Sequence, residues 1–431
     1  MQDVIQNYID SFENFLPQVE GKEPFLLTQK RKNSIHFLKQ HGFPTSKNEE
    51  FKYLKMGELA KQAFTTQKKP IQNFPDIQPL LLTKQQSINL VFVDGIFNEN
   101  LSDLSHLPEG LVVSKLILTD SNLATLANPE KDAFTALNTA FIKEGLSLRI
   151  TKNTRMVQPI HIIHVTTSAA KELLIPLHHF IHCEPHAEAF LVETYTGIDS
   201  ASYFTNVITE IKMEADSKLT HIKIQEEGNQ AHHLATTALL QEKSSSVGSW
   251  IFSRGALTHR TSIQSTLDDV DCSFDLKALL LAKEGQQTDI HARVDHLKPH
   301  GTSNMELKNI VNDQARGIIN SKVVVHPNAQ KTKAHQSLKH LMLSENAEAN
   351  PKPELEIYAN DVQCNHGASI GQLDPQAMFY LRSRGIGQQE AQTMLTYAFA
   401  EELIQTIPLK SLRTKAMESV LKWQKQEKTQ S

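Results

Sequence analysis

Val4, Ile5, Tyr8, Ile9, Phe12, Phe15 and Leu16 recur at three- and four-residue intervals, so the chain should open with an amphipathic helix. Residues 28–41 and 49–65 are also rich in helix formers, while Pro44, Pro70, Pro75 and Pro79 punctuate the region around them. Residues 1–85 therefore read as a mainly helical N-terminal region. Asn89-Leu90-Val91-Phe92-Val93 before Asp94-Gly95 predicts a short strand and turn, and Phe134, Leu137, Phe141 and Ile142 return to helical spacing. Residues 86–146 thus form a mixed α/β connecting region.

From 147 to 372 the apolar period shortens to two. Val207, Thr209, Ile211 and Met213 share one face of a strand, with Ile208, Glu210, Lys212 and Glu214 on the other. Thr220-Ile222-Ile224, Met305-Leu307, Ile319-Ser321-Val323-Val325 and Leu355-Ile357 repeat the alternation. A hairpin-built sheet of this size should carry Asn-Gly or Asp-Gly turns, and the region has neither dipeptide. Long helical patterns between the strands are missing too. Successive parallel coils explain both absences, yet no fixed-period repeat is present, so the alternation alone leaves a β-solenoid and a β-sandwich both open.

Helical spacing resumes in residues 373–431. Asp374-Pro375 supplies a cap and a first-turn proline, and Arg384-Gly385 a stop. Ala391, Met394, Leu395, Ala398, Phe399 and Leu403 predict a longer amphipathic helix ending before Pro408, and Leu412, Ala416, Val420 and Trp423 another.

Composition narrows the function. The 431 residues carry 44 Lys and Arg against 48 Asp and Glu, a net charge of -4 that disfavours nucleic acid as a partner. Cys183, Cys272 and Cys364 are too scattered for a disulfide framework or a CxxC zinc module, which fits a reducing compartment. No signal-like start and no membrane-length apolar run is present, so a cytoplasmic chain with no membrane association is expected.

P-loop, GxGxxG, HExxH and GxSxG patterns are all missing. Of the 20 histidines, 17 lie between His161 and His366, and His178, His179, His182 and His186 cluster beside Cys183. In a strand His178 and His182 share a face while His179 points away, so linear proximity alone does not make a metal site. Asp268, Asp269 and Asp271 could serve acid–base chemistry, although closely spaced aspartates more often mark a solvated turn; His291, His296 and His300 show no ligand spacing. If residues 362–370 are extended, Val362, Cys364, His366, Ala368 and Ile370 point one way. A thiolate and an imidazole on one face make a soft half-site for iron or an iron–sulfur species, whose remaining donors must come from elsewhere. The plainer reading is a buried cysteine acting as a small apolar residue.

Several motifs follow one another along nearly the whole chain: Asn48-Glu49-Glu50-Phe51-Lys52-Tyr53, Val93-Asp94-Gly95 with Phe97, Phe134-Thr135-Ala136-Leu137-Asn138, Glu354-Leu355-Glu356-Ile357-Tyr358, Cys364-Asn365-His366-Gly367-Ala368, and Phe379 through Ile386. In these the chain closely resembles the SufB/SufD family of iron–sulfur cluster assembly proteins. Its Cys-x-His-Gly form and modest length look like the SufD branch, the SufB branch typically having Glu after the corresponding His. The resemblance implies a mainly β fold, a right-handed parallel β-helix core flanked by N-terminal and C-terminal helical regions. It further implies a non-catalytic subunit without its own ATP site, pairing with SufB through the β-helix and with the ABC-type ATPase SufC through the C-terminal helices, with a homodimer possible in isolation. His366 and Cys364 become candidate ligands of iron or a transient iron–sulfur cluster at the SufB interface. Phe379, Tyr380, Leu381, Arg382, Met394, Tyr397 and Phe399 fall in the SufC-binding region. The alternative from another class is a β-helix polysaccharide lyase or hydrolase using Asp268, Asp269 and Asp271.

Overall fold

The structure, a computed structural model, describes residues 2–425 apart from 58, 60, 67–74, 83–86, 116–122 and 198–200. Five shorter strands come first: β1 (Ile88–Val93), β2 (Ile96–Asn98), β3 (Leu111–Lys115), β4 (Leu146–Ile150) and β5 (Ile160–Thr166). The coils proper then run through β6 (Leu174–Cys183), β7 (Glu188–Gly197), β8 (Phe204–Met213), β9 (Lys218–Glu227), β10 (His232–Gln241), β11 (Ser246–Gly255) and β12 (Thr258–Leu267). They continue in β13 (Ser273–Ala282), β14 (Gln287–His296), β15 (Thr302–Val311), β16 (Arg316–Val325), β17 (Lys333–Met342), β18 (Glu348–Ile357) and β19 (Gln363–Gly371). Odd-numbered strands from β5 onward stack with β1 and β2 into one sheet, and even-numbered strands from β4 onward stack with β3 into a second. Successive coils pair in parallel, so the chain is mainly β and winds as a parallel β-helix with helices at both ends, the expected fold class.

The missing sequence repeat has a geometric cause. Strands β6 to β18 are each ten residues long, but the turns between them range from two residues (256–257) to seven (326–332). Stacked positions such as Ser246, Ser273, Thr302, Lys333 and Gln363 are in register in space while their sequence separations drift. What repeats is the alternation. Phe274, Leu276, Ala278 and Leu280 of β13 face the interior, and Leu276 and Ala278 stack on Met305 and Leu307 of the next coil.

One corner of the solenoid explains the missing hairpin dipeptides. Asn153, His186, Asp216, Ser244, Asp271, His300 and Lys331 all have φ between 53° and 63° and follow one another up this corner. Each donates its N–H to a carbonyl of the next coil, from Asn153 to Pro185 O (3.1 Å) through Lys331 to Asp361 O (2.6 Å). A single left-handed residue per turn suffices here, and Asn, Asp and His tolerate that conformation better than most residues.

Helices α1 (Gln2–Val19), α2 (Phe25–His41) and α3 (Ala133–Phe141) bury an aromatic cluster, including a Phe43–Phe134 stack at 5.2 Å, against Leu174, Phe204, Leu234 and Ile318 on the outside of the even-numbered sheet. Helices α4 (Pro375–Ser383), α5 (Gln388–Ile404) and α6 (Lys410–Lys425) close the chain. Of these, α5 and α6 cover Ile222, Phe252, Leu279 and Leu341 on the outside of the odd-numbered sheet. Among the described residues no helix is long and apolar enough to cross a membrane.

Two local expectations are corrected. Residues 49–65 contain only a short 3-10 turn, Glu49–Phe51, among their described positions. The segment instead lies along the solenoid, inserting Phe51, Leu54, Met56 and Phe64 into the N-terminal core, while Arg260 donates to Glu50 O (3.0 Å) and Arg316 to Tyr53 O (2.6 Å). Docking outweighs helix propensity because the solenoid offers both apolar burial and donors for the free carbonyls. The buried stripe of α5 is also rotated from the predicted one: Ala391, Thr396, Ala400, Leu403 and Ile404 are buried, whereas Met394 and Ala398 face solvent.

Candidate functional site at the open end of the solenoid

Strands β18 and β19 form the last coil, and no further described strand pairs with either. Their free edges differ. In β18 the even-numbered residues point their N–H groups inward, as Glu348 does to Ala315 O (3.0 Å), so odd-numbered residues face the open edge. Pro351 and Pro353 occupy two of those outward positions and remove their donors. In β19 Gln363 donates inward to Thr332 O (2.9 Å), so the N–H and C=O groups of Cys364, His366, Ala368 and Ile370 face outward. One sheet therefore ends on a blunted edge and the other on an intact template for strand addition.

The same four side chains of β19 point toward the solenoid axis. Cys364, His366, Ala368 and Ile370 register with Ala334, Gln336, Leu338 and His340, all buried. One coil further on, no described strand covers them. Cys364 is half-buried against the end of the core, His366 is exposed, and Ile370 and Tyr358 expose 51% and 60% of their surface, far more than apolar side chains inside the coils. Beneath His366, Gln336 is held by Ser321 and by its own donation to Glu354 O (3.0 Å), giving the site a fixed floor.

Cys364 and His366 lie on one face about 7 Å apart along the strand, as two-residue spacing requires. Burial pushes the Cys364 thiol up, with a backbone hydrogen bond to Ala334 acting against it, so the group becomes a good metal donor only once a cation displaces its proton. Among the described residues no three His, Cys, Asp or Glu side chains converge to hold a metal ion. Cys364 and His366 are thus two soft donors on an open surface, with no third His, Cys, Asp or Glu converging on them among the described residues.

Helix α4 presents a second unpartnered surface. Asp374 caps it by accepting from Gln376 N (2.9 Å), Gly385 terminates it at φ 86°, and none of its residues is buried. Phe379 and Tyr380 expose 75% and 58% of their surface, and Met394 of α5 exposes 45%. Arg382 is exposed as well, and Leu381 is half-buried. Tyr397 and Phe399 turn toward the solenoid, where Lys308 donates to Phe399 O (2.8 Å) and sits over its ring. The seven residues thus split into a solvent-facing group and a packed pair.

The remaining sequence candidates have structural duties. His178 is hydrogen-bonded to Glu210 (2.9 Å) on the outside of β6, His179 points inward, His182 bonds Glu214 (2.8 Å), and His186 is a corner residue. His291 lies 3.1 Å from Asp289, His296 bonds Ser303 Oγ (2.9 Å), and His300 is another corner residue. Asp269 accepts from Val270 N (2.7 Å), Asp271 has the left-handed corner conformation, and Asp268 donates its backbone N–H to Gln241 O (2.9 Å). All three lie in the turn between β12 and β13, which is the solvated-turn reading of closely spaced aspartates. The sequence did carry a signal for the edge asymmetry, Pro351 and Pro353 two apart in one strand against their absence from the next, but it becomes interpretable only once the pairing direction is known.

Two family models match the chain: the one described as "SUF system FeS cluster assembly, SufBD core domain" over residues 164–399, and the one described as "SufBD protein N-terminal region" over residues 2–162. The chain is 30% identical over 421 residues to the "Iron-sulfur cluster assembly SufBD family protein slr0076" of Synechocystis sp., covering 93% of this chain and 92% of that one. It is 30% identical over 378 residues to the "Iron-sulfur cluster assembly protein SufD" of Escherichia coli, covering 87% and 88%. With "Protein ABCI7, chloroplastic" of Arabidopsis thaliana it shares 26% identity over 405 residues, covering 90% and 84%.

Proposed function

The chain belongs to the SufBD family of the SUF iron–sulfur cluster assembly system, and from that premise we propose that it is a non-catalytic, SufD-type scaffold subunit whose open solenoid end completes a cluster-assembly site with a SufB-type partner. The observation that carries this reading is the end of β19, where unpaired backbone groups and the Cys364 and His366 side chains share one exposed surface. A partner strand added to β19 satisfies the outward N–H and C=O groups and brings its own side chains over Cys364 and His366. Iron and sulfide are then substrates at the seam, with His366 as a neutral nitrogen donor and Cys364 as a thiolate donor, and the partner supplying the rest. Without that partner, the same edge and its exposed Ile370 favour pairing of two copies of this chain.

Helix α4, with Phe379, Tyr380, Leu381 and Arg382, and the neighbouring Met394 form the proposed docking surface for a SufC-type ATPase. Phe399, through Lys308, and Tyr397, packed against the apolar cluster on the odd-numbered sheet, connect that surface to the solenoid. Nucleotide hydrolysis by the ATPase would act on the seam through α5, so this chain carries force and donors but performs no bond chemistry of its own.

Reconstitution with the SufB-type and SufC-type subunits tests the reading. His366→Ala should leave the complex assembled and slow cluster formation at least tenfold, followed by visible absorbance, with Cys364→Ser causing a smaller loss. Wild-type cluster formation by both variants would sink the ligand roles.

A further inference from the structure

The outside of the odd-numbered sheet is divided lengthwise. Helices α5 and α6 cover the later part of each strand through Ile222, Phe252 and Leu279. The earlier parts stay open and form a trough of about 730 Å³ that crosses the strands from β7 to β19. Seven strands at their usual spacing give a length of about 29 Å.

The trough is built from registered columns. One column passes through Gly248, Asp275, Asn304, His335 and Asn365. Asn304 donates to Asp275 (2.8 Å), and His335 and Asn365 are hydrogen-bonded to each other, so the polar floor is ordered in advance. Trp250 forms a wall and is fixed by donation from Nε1 to Thr406 Oγ1 (3.0 Å). A Cβ at Gly248 would lie 2.8 Å from the Trp250 ring, so glycine is what lets the indole lie beside an unobstructed floor.

The charges are unevenly satisfied. Both lining carboxylates are engaged, Glu188 by Arg155 (3.1 Å) and Asp275 by Asn304 and by Lys277 (3.7 Å). Lys218 and Lys333 line the trough, are exposed, and have no acidic partner among the described residues. They stand four strands apart, which is about 19 Å. An extended polypeptide advances about 3.4 Å per residue, so carboxylates five or six positions apart would meet both ammonium groups. The trough ends at Gln363 and Asn365, on the strand whose edge receives the partner in the reading above.

We propose that this trough is the docking groove for an extended acidic segment of about nine residues belonging to the SufB-type partner, which crosses the β19 edge and lies along the sheet. The inference rests on pairing at β19. Continuity with that edge supplies the route, the two unpaired lysines select carboxylates, and Trp250 with the amide and imidazole column packs against and hydrogen-bonds to an extended chain. Reading proceeds across the strands, so the segment is held by side chains and not by backbone strand addition.

The test uses the full chain copurified with its SufB-type partner and treated with a carbodiimide, which joins lysine to carboxylate without a spacer. Lys218 and Lys333 should each give a cross-link to one acidic stretch of the partner. The double variant Lys218→Glu/Lys333→Glu should weaken the complex about tenfold at low salt and much less at high salt. In a Trp423→Phe background, where Trp250 is the only tryptophan, binding should shift its fluorescence, and deletion of the cross-linked stretch should abolish the shift. If the complex forms but both lysines stay unlinked and charge reversal leaves affinity within twofold, the trough proposal fails while pairing at β19 stands. If no complex forms at all, both fail.

Discussion

Ala368→Pro separates the free edge of β19 from the stability of the coil beneath it. The N–H of Ala368 points away from β17, since its odd-numbered neighbours supply the inward bonds in the series begun by Gln363 to Thr332 O. Proline at 368 therefore removes no bond within the chain and costs the isolated protein no more than about 1 kcal/mol of backbone adjustment. It does remove one of four outward donors and places a ring where an added strand must approach. A backbone hydrogen bond is worth about 0.5–1.5 kcal/mol net, so with the steric cost pairing should weaken by about 1–3 kcal/mol, or roughly 5- to 150-fold. Ser369→Pro is the control, because its N–H faces β17 and its loss should destabilise the last coil by about 3 kcal/mol. Urea unfolding of each variant and calorimetric titration with the SufB-type partner give the two numbers. A well-folded Ala368→Pro chain that binds with unchanged affinity would refute strand addition at this edge.

Other consequences are independent of that edge. Glu210 is buried, accepts from Ala124 N (2.8 Å), Leu126 N (2.7 Å) and Ala127 N (2.9 Å), and is hydrogen-bonded to His178 (2.9 Å). Burial alone would raise its pKa, but His178 and the backbone donors hold the carboxyl below the usual range. Its contribution is therefore complete above the unfolded value of about 4.3 and disappears as pH falls through the lower folded value. Glu210→Gln should cost about 1.5–3 kcal/mol at pH 7, with the gap to wild type closing on acidification, as read by urea melts at several pH values. Leu307→Ala, at a fully buried position stacked between Ala278 and Leu338, should lose about 2.5–5 kcal/mol in the same assay. Phe379→Ala with Tyr380→Ala should change stability by less than about 0.5 kcal/mol, because both are exposed, yet abolish capture of a SufC-type ATPase.

Much of the architecture was legible from local patterns, and the parts that were not share a cause. The alternation in Val207 through Met213 reports the inward face of its strand and the stripe Leu412, Ala416, Val420 and Trp423 the packed face of its helix, and the structure buries both; it also buries Ile208 and Glu210 on the outward face, under residues 124–127, which alternation alone does not report. The solenoid itself was obscured because its turns absorb two to seven residues while its strands keep their length, so register is regular in space and irregular in sequence. The face of Cys364 and His366 followed from strand period alone. Whether that face is open or covered depends on β19 being the last strand, a non-local fact. Met394 was assigned to a buried stripe because one helix cannot report which neighbour it leans on.

The histidine enrichment shows the same relation between stacking and chemistry. Ten histidines are buried, which argues against a surface metal cluster and asks what a solenoid gains from imidazole. Inside a coil, a polar side chain has neighbours only on the coil above, the coil below and the facing sheet. His221 of β9 bonds Glu193 of β7 through Nε2 (2.8 Å) and Ser249 of β11 through Nδ1 (3.1 Å), so one ring ties three successive rungs. Glu193 in turn accepts from Tyr195 (2.5 Å); burial would raise its pKa, but the His221 hydrogen bond and the Lys223 charge hold it well below the ordinary range. At His221 the two ring nitrogens on opposite sides bridge neighbouring rungs and offset the cost of desolvation, whereas other buried histidines, His340 of β17 among them, have a ring nitrogen with no hydrogen-bond partner among the described residues. His366 occupies the inward position at the last rung, where the next coil is absent. Its inner side rests over Gln336 and its outer side is open, so the proposed donor at the seam sits where another chain would continue the stack.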